Sequence, residues 1–365
     1  MRNPFKLIRF QLVWMLLSLC AGVCQAQVFG FKTDGVAWKS ECVGLYQVDL
    51  PADFQPLVRT VGSVVGDYVS GSDQVAELPV ASGSNVTIKE FYTVQKKLHD
   101  AYISNKKNAL DEAKNAPMTD AAKERQIYGE SISAYPISDI NAFAWRDGPD
   151  SIDGYFYRAG RIYSISGPPK GKASPGEPTF EEKVKLFRPR ELFEISSGEG
   201  LCLPFSFIGT TFRGRFLRIY QKGVLAKHPD IMIWVGDGAW WDRNDDASDF
   251  RLSSSENKKK SRDSLRVFWE QLPREREMRT LVWPFPSVKM ADYEGYSSFI
   301  QITRQNGDVD YGYRAVANPQ GGYYALDIHL IQRSEVARQR NLTPMSKEEF
   351  KRLADEVVAS LRKRE

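Results

Sequence analysis

The chain has 365 residues, 42% of them hydrophobic, and carries 50 basic against 46 acidic side chains for a net charge of +4. So small a positive excess excludes a phosphate-neutralising nucleic-acid binder as the first reading, and three histidines leave little material for a histidine-based catalytic or metal centre. The length admits two ordinary domains, each with its own core.

Residues 1–26 have the parts of a secretory signal peptide: basic Arg2, Lys6 and Arg9, the apolar run Val13-Trp14-Met15-Leu16-Leu17-Ser18-Leu19, and Cys24-Gln25-Ala26 at the expected cleavage site. The alternative is a retained anchor, although spanning normally takes about 20 apolar residues. Leu19 before Cys20 and Val23 before Cys24 fit a lipoprotein site poorly. Cleavage would remove Cys20, Cys24 and three positive charges, leaving a nearly neutral chain whose cysteines are Cys42 and Cys202. Two thiols in an oxidising compartment point to one disulfide. Closing so long a loop is worth about 5 kcal/mol at most in the chain-entropy account. The alternative is two separate buried thiols.

In the first half, Val43, Leu45, Tyr46, Val48 and Leu50 read as a buried strand ended by Pro51. Phe54 to Tyr68 reads as strand and turn, and Ser82-Gly83-Ser84-Asn85 as a loop. Thr87 with Glu90 forms a capping box for a long helix over 88–116, in which Phe91, Val94, Leu98 and Tyr102 make one apolar stripe. His99 lies off that stripe with no second His or Cys at helical spacing, so a metal role has no support there. Tyr155-Phe156-Tyr157 and Arg161-Ile162-Tyr163 flank Ala159-Gly160, a hairpin signal. Gly167 to Lys172 only superficially resembles a phosphate loop. One residue is missing between the glycines, and Ala173 stands where Ser or Thr must meet magnesium.

In the second half, 207–220, 231–234 and 265–268 are apolar enough for core elements. A helix is predicted over 254–272, with Lys258, Lys259 and Lys260 on a solvated face. Alternation at Tyr296, Ser298, Ile300 and Ile302, then at Val309, Tyr311, Tyr313 and Ala315, then at Tyr324, Leu326, Ile328 and Leu330 predicts an antiparallel meander. Its turns fall at Asn306-Gly307 and Pro319 to Gly322. His329 and Asp327 share one strand face and read as a surface pair rather than a catalytic one. The last helix has a Met345–Phe350 staple, a Ser346–Glu349 capping box and an apolar face of Phe350, Leu353, Val357 and Leu361. Arg362-Lys363-Arg364 is expected to sit at the negative pole of its dipole.

Catalytic signatures are missing. The chain has no Gly-x-Ser-x-Gly elbow, no His-Glu-x-x-His and no Cys-x-x-Cys. The richest site candidate runs from Gly236 to Asp249. Asp242, Asn244 and Asp246 have the first spacings of a calcium loop, but Ala247 and Ser253 replace its glycine and glutamate. A protein-contact loop accounts for it better, with Trp240, Trp241, Asp242, Asn244, Asp245, Asp246 and Asp249 as the contact residues. The alternative is one Trp packed in the core and a solvated acidic loop.

Glu41-Cys42-Val43-Gly44 through Val48-Asp49-Leu50-Pro51, with Gly200-Leu201-Cys202 through Phe207-Ile208-Gly209, resembles the periplasmic type VI secretion lipase-immunity family, fourth class. The resemblance covers nearly all of the chain after the signal segment. It departs at Leu45, where a basic residue is expected, and at Pro204-Phe205-Ser206, where glycine is expected. The family implies a crescent-like α+β protein of two mixed α/β domains with mainly antiparallel sheets, here 27–195 and 196–365. It implies a periplasmic protein without active site, cofactor or metal, which inhibits a cognate phospholipase or lipase effector by clamping its lid or covering its cleft. Two other readings compete: a periplasmic binding module for a small ligand or envelope lipid, and a hydrolase using scattered carboxylates.

Overall fold

The computed structural model describes residues 37–57, 75–78, 86–115, 119–173, 178–209, 218–239, 254–270, 277–317 and 324–365, with the single positions 117 and 175. The expected signal segment 1–26, the loop at 82–85 and the turn at 319–322 lie outside the described residues. In chain order the first elements are β1 (Trp38–Val43), β2 (Tyr46–Pro51), β3 (Phe54–Pro56), β4 (Val75–Leu78), α1 (Ile88–Asn115) and α2 (Asp120–Ser131). There follow β5 (Ser133–Tyr135), β6 (Ala142–Arg146), β7 (Ile152–Arg158), β8 (Arg161–Gly167), α3 (Phe180–Leu186) and β9 (Phe187–Pro189). The second half holds β10 (Leu201–Leu203), β11 (Ser206–Ile208), β12 (Arg218–Leu225), β13 (Ile231–Ala239), α4 (Ser254–Glu270), β14 (Glu277–Thr280) and β15 (Ser287–Met290). It ends with β16 (Tyr293–Thr303), β17 (Val309–Ala317), β18 (Tyr324–Gln332), α5 (Ser334–Gln339), α6 (Lys347–Ser360) and β19 (Arg362–Lys363). The fold is α+β with mostly antiparallel sheets, as expected.

Strands β16, β17 and β18 form the predicted meander, at the heart of an eight-stranded sheet of order β14-β16-β17-β18-β13-β12-β3, with β15 also on β16. One face carries Ile231, Ile233, Val235, Ile328, Leu330, Ala315, Tyr313 and Phe299 into the main core. There they meet Phe350, Leu353, Val357 and Val358 of α6 and Val43, Val48 and Leu50 of the β1–β2 hairpin. The capping box of α6 forms as the sequence predicts: the Ser346 hydroxyl accepts from the Glu349 amide, and Glu349 accepts from that of Ser346. The opposite face of the sheet is packed by α4, through Leu265 on Val316 and Ala325 and Trp269 on Ile300 and Ile302. Gly312 leaves room for Trp269 to approach the sheet, since a Cβ there would sit 2.7 Å from the indole.

A five-stranded sheet of order β4-β8-β7-β6-β5 forms the second layer system. Helix α1 covers it with Phe91, Val94 and Tyr102 buried on Phe143, Trp145, Tyr155 and Ile162, and Leu98 half-buried beside them. Its N-terminus carries the expected Thr87–Glu90 box. The β7–β8 turn is the predicted one: Ala159 and Gly160 take φ of +47° and +71°, the left-handed pair that twists with the strands. Between 117 and 151 the sequence offers no apolar stripe, yet α2, β5 and β6 form there. Helix α2 buries only Ala122 and Gly129. It is held by its Thr119 cap and by packing on α1 rather than by an apolar face of its own.

Two expectations are corrected. Arg362-Lys363-Arg364 does not cap a helix as a group. Helix α6 stops at Ser360, and Arg362 and Lys363 pair as β19 with Gln47 and Tyr46 of β2; Arg362 alone donates to the Ser360 carbonyl, at 2.8 Å. Asp327 and His329 do share a strand face, but they are not a surface pair. Asp327 is buried against Arg314, 2.7 Å away. His329 lies between Trp234, at 3.7 Å between ring centroids, and Phe268, at 5.4 Å. Helix α4 covers this row, so residues whose polarity reads as surface are enclosed.

The expected boundary at 195/196 is crossed by strand pairing. β3 pairs with β12, and β19 pairs with β2.

Candidate functional site

Both cysteine stretches fold as tight hairpins that meet face to face. β1 and β2 are joined by Gly44-Leu45 alone, with Val43 opposite Tyr46. Gly44 takes φ +60°, which L side chains adopt only with strain. Its amide donates to the Cys202 carbonyl at 2.8 Å, and its carbonyl accepts from the Cys202 amide at 2.9 Å. A Cβ at Gly44 would run into the Asp237 carboxylate of β13, which instead accepts from the Leu45 amide at 2.9 Å. Cys42 and Cys202 are joined by a disulfide, with their Cα atoms 5.7 Å apart, which settles the choice that the sequence left open.

A buried ion pair completes this hub. The Arg190 guanidinium and the Glu41 carboxylate, 2.6 Å apart, are both fully enclosed. Arg190 also donates through Nε to Leu203 and Ser206, through Nη1 to Glu191 and Glu194, and through Nη2 to Cys42, all at backbone carbonyls. The free oxygen of Glu41 accepts from the Phe193 amide at 2.6 Å. Every hydrogen of the fork has a partner, which is the condition under which a buried guanidinium is tolerated. Arg364 closes the outer side. It donates to the Cys202 sulfur at 2.7 Å and to the Gly198 and Gly200 carbonyls at 3.0 and 2.6 Å, while stacking on Phe207.

Phe205 stands where the resemblance leads to the expectation of glycine. It occupies the two-residue β10–β11 turn at φ +56°, where glycine is the unstrained choice. The ring is held under the Arg161 guanidinium at 3.6 Å, and its carbonyl accepts from Arg190 and Tyr163.

In the hub the Glu41 and Arg190 charges offset each other and both sulfurs are buried, an arrangement that fastens the two hairpins together. Elsewhere, His99 is exposed on α1 beside Asp100 at 3.4 Å, and His228 approaches Asp230 at 4.0 Å. Burial pushes the His329 imidazole down to about 3 against the pull of Asp327, so it is neutral near pH 7. Tyr102 and Ser166 donate to Asp153, whose carboxyl is raised chiefly by burial. Among the described residues no three His, Cys, Asp or Glu side chains are grouped to hold a metal ion.

The proposed contact residues Trp240, Trp241, Asp242, Asn244, Asp245, Asp246 and Asp249 lie outside the described residues. What is described is the sheet end that precedes them. β13 finishes at Ala239 opposite Tyr324 of β18, with Gly238 opposite Arg218 of β12 and Leu326 opposite Ala317 of β17. Four strand ends therefore gather at this edge of the large sheet. Sequence reasoning did not assign these roles to Glu41, Arg190 or Arg364. The sequence signal was slight, because Glu41 follows Lys39 and Ser40 in β1 and reads as one more polar residue until its burial is seen.

No protein-family model matches the chain, and no curated protein matches it in sequence. Solved structures share its fold. The apo structure of immunity protein TplEi of the T6SS from Pseudomonas aeruginosa aligns with a TM-score of 0.51 over 91% of this chain and 98% of that one, at 16% identity. The same protein complexed with "L" peptide aligns at 0.51 over 90% and 98%, also at 16% identity. A chain of the Tle4–Tli4 complex aligns at 0.50 over 90% and 97%, at 15% identity.

Proposed function

We propose that this chain is a periplasmic immunity protein that binds a phospholipase or lipase effector of type VI secretion and blocks it without catalysing a reaction. The observation that carries this reading is the near end-to-end match in fold to solved immunity proteins, spanning 97% or more of their length. A buried disulfide between distant strands supports an oxidising compartment. The resemblance of the two cysteine stretches supports it as well, and three of its residues, Glu41, Cys42 and Gly44, bond to the second stretch or its flank.

Inhibition works by holding lid elements of the effector or by covering its cleft, so that lipid cannot enter. In this reading the segment Trp240 to Asp249 is the contact surface; in sequence it follows β13, whose end at Ala239 neighbours those of β12, β17 and β18. Paired aromatic side chains ringed by acids suit the centre of such an interface. The test is titration of purified effector with the purified mature chain, scored by lipid hydrolysis. Inhibition saturating at one-to-one supports the reading, whereas undiminished hydrolysis at excess inhibitor refutes it. Trp240→Ala and Trp241→Ala should each weaken binding at least tenfold; unchanged affinity in both would move the contact elsewhere. Removing residues 1–26 should abolish protection of cells that receive the effector.

A further inference from the structure

We propose that the outer edge of β14 pairs two copies of this chain by antiparallel strand addition, about a twofold axis through Met278. Among the described residues β14 ends the eight-stranded sheet, and all four of its residues, Glu277, Met278, Arg279 and Thr280, are exposed. An exposed edge presents unpaired backbone groups at every second residue. The parity follows from one bond. The Leu281 amide donates inward to the Phe299 carbonyl at 2.8 Å, and the register places Thr280 opposite Ile300. Residues 277, 279 and 281 therefore direct their backbone groups to β16, while Met278 and Thr280 direct theirs outward.

Only outward-facing residues can meet in a hydrogen-bonded pair, so the registers open to a twofold pairing are few. Centring the axis on Met278 lets each Met278 exchange both backbone bonds with the partner's Met278. Glu277 then stands opposite the partner's Arg279, and Arg279 opposite the partner's Glu277. These two positions are non-hydrogen-bonded pairs, where facing side chains approach most closely and opposite charges gain most. Moving the register by one step sets Arg279 against the partner's Arg279, or Glu277 against the partner's Glu277, and like charges oppose both. The triplet Glu277-Met278-Arg279 is thus self-complementary in charge at one register. A second copy is the occupant that this pattern fits, and the contact is isologous. This inference rests on the strand geometry and not on the functional reading above.

So short a strand lies at the small end of specific interfaces, and association is expected to rise over roughly 10–500 µM protein. Sedimentation of the full mature chain across that range tests it. Arg279→Glu should weaken association at least tenfold, and the swap Glu277→Arg with Arg279→Glu should restore it. Met278→Pro removes the outward amide but not a bond to β16, so it should abolish association while leaving the circular dichroism unchanged. A chain that stays monomeric throughout overturns the proposal. So does a dimer that Arg279→Glu leaves intact, or an edge whose amides are protected from exchange by effector alone.

Discussion

Gly44 shows how closely one residue is determined. Its left-handed backbone strains any other residue, and the space a methyl group would take belongs to Asp237. Gly44→Ala is expected to cost about 2–4 kcal/mol, the sum of backbone strain and a displaced buried carboxylate, read from urea denaturation. His329 makes a second test at this scale. Its folded imidazole titrates near 3 against an ordinary 6.5 because it is buried. Between those values the unfolded chain takes up a proton that the folded chain refuses, so this contribution to stability is full above about pH 6.5 and is lost as pH falls toward 3. His329→Phe should therefore gain on the native protein as pH drops from 7 to 4. Stability–pH curves that run parallel would contradict this origin.

Elements are joined here by polar fastening as well as by apolar contact. Arg190 ties β1 to the turns after β9 and β10 through one guanidinium. Arg190→Met leaves Glu41 enclosed without its cation and is expected to destabilise by about 3–5 kcal/mol. Arg190→Lys should not rescue it, since an ammonium cannot reach carbonyls on several sides of a planar fork; equal stability of the Lys variant would refute that role. Arg364, which follows β19, lies on the Cys202 sulfur of the disulfide. Deleting residues 362–365 is expected to speed reduction of the Cys42–Cys202 bond at least tenfold, followed by thiol trapping and mass spectrometry under native conditions. An unchanged rate would mean that the tail does not shield it.

Across the whole molecule, the division into 27–195 and 196–365 stands as a proposal about organisation, and the links that cross it include the disulfide, the Gly44–Cys202 bridge, and the β3–β12, β9–β11 and β19–β2 pairings. One hydrophobic cluster also draws on both sides, with Leu50, Phe156 and Phe180 joined to Ile233, Leu330 and Phe350. Thermal unfolding is therefore expected to show one cooperative transition by calorimetry. Two resolved transitions would mean that the links are too weak to couple the halves.

Local periodicity and capping determined much of this protein without tertiary information. The stripe of α1, the box of α6, the Ala159-Gly160 turn and the alternation of β16 to β18 are all short-range patterns, so the sequence carries them openly. The helix α2 was not legible, because it buries two small residues and borrows its stability from α1. Nor was the state of Asp327 and His329, since a polar strand face reads as solvated until a helix 60 residues away in sequence is seen to cover it. The hub around Cys42 was visible only in part. Its cysteines and glycine stood out as types, while Arg190 and Arg364 enter it from positions 148 and 162 residues away from the groups they bind, and contacts at that separation exist only once the chain has closed on itself.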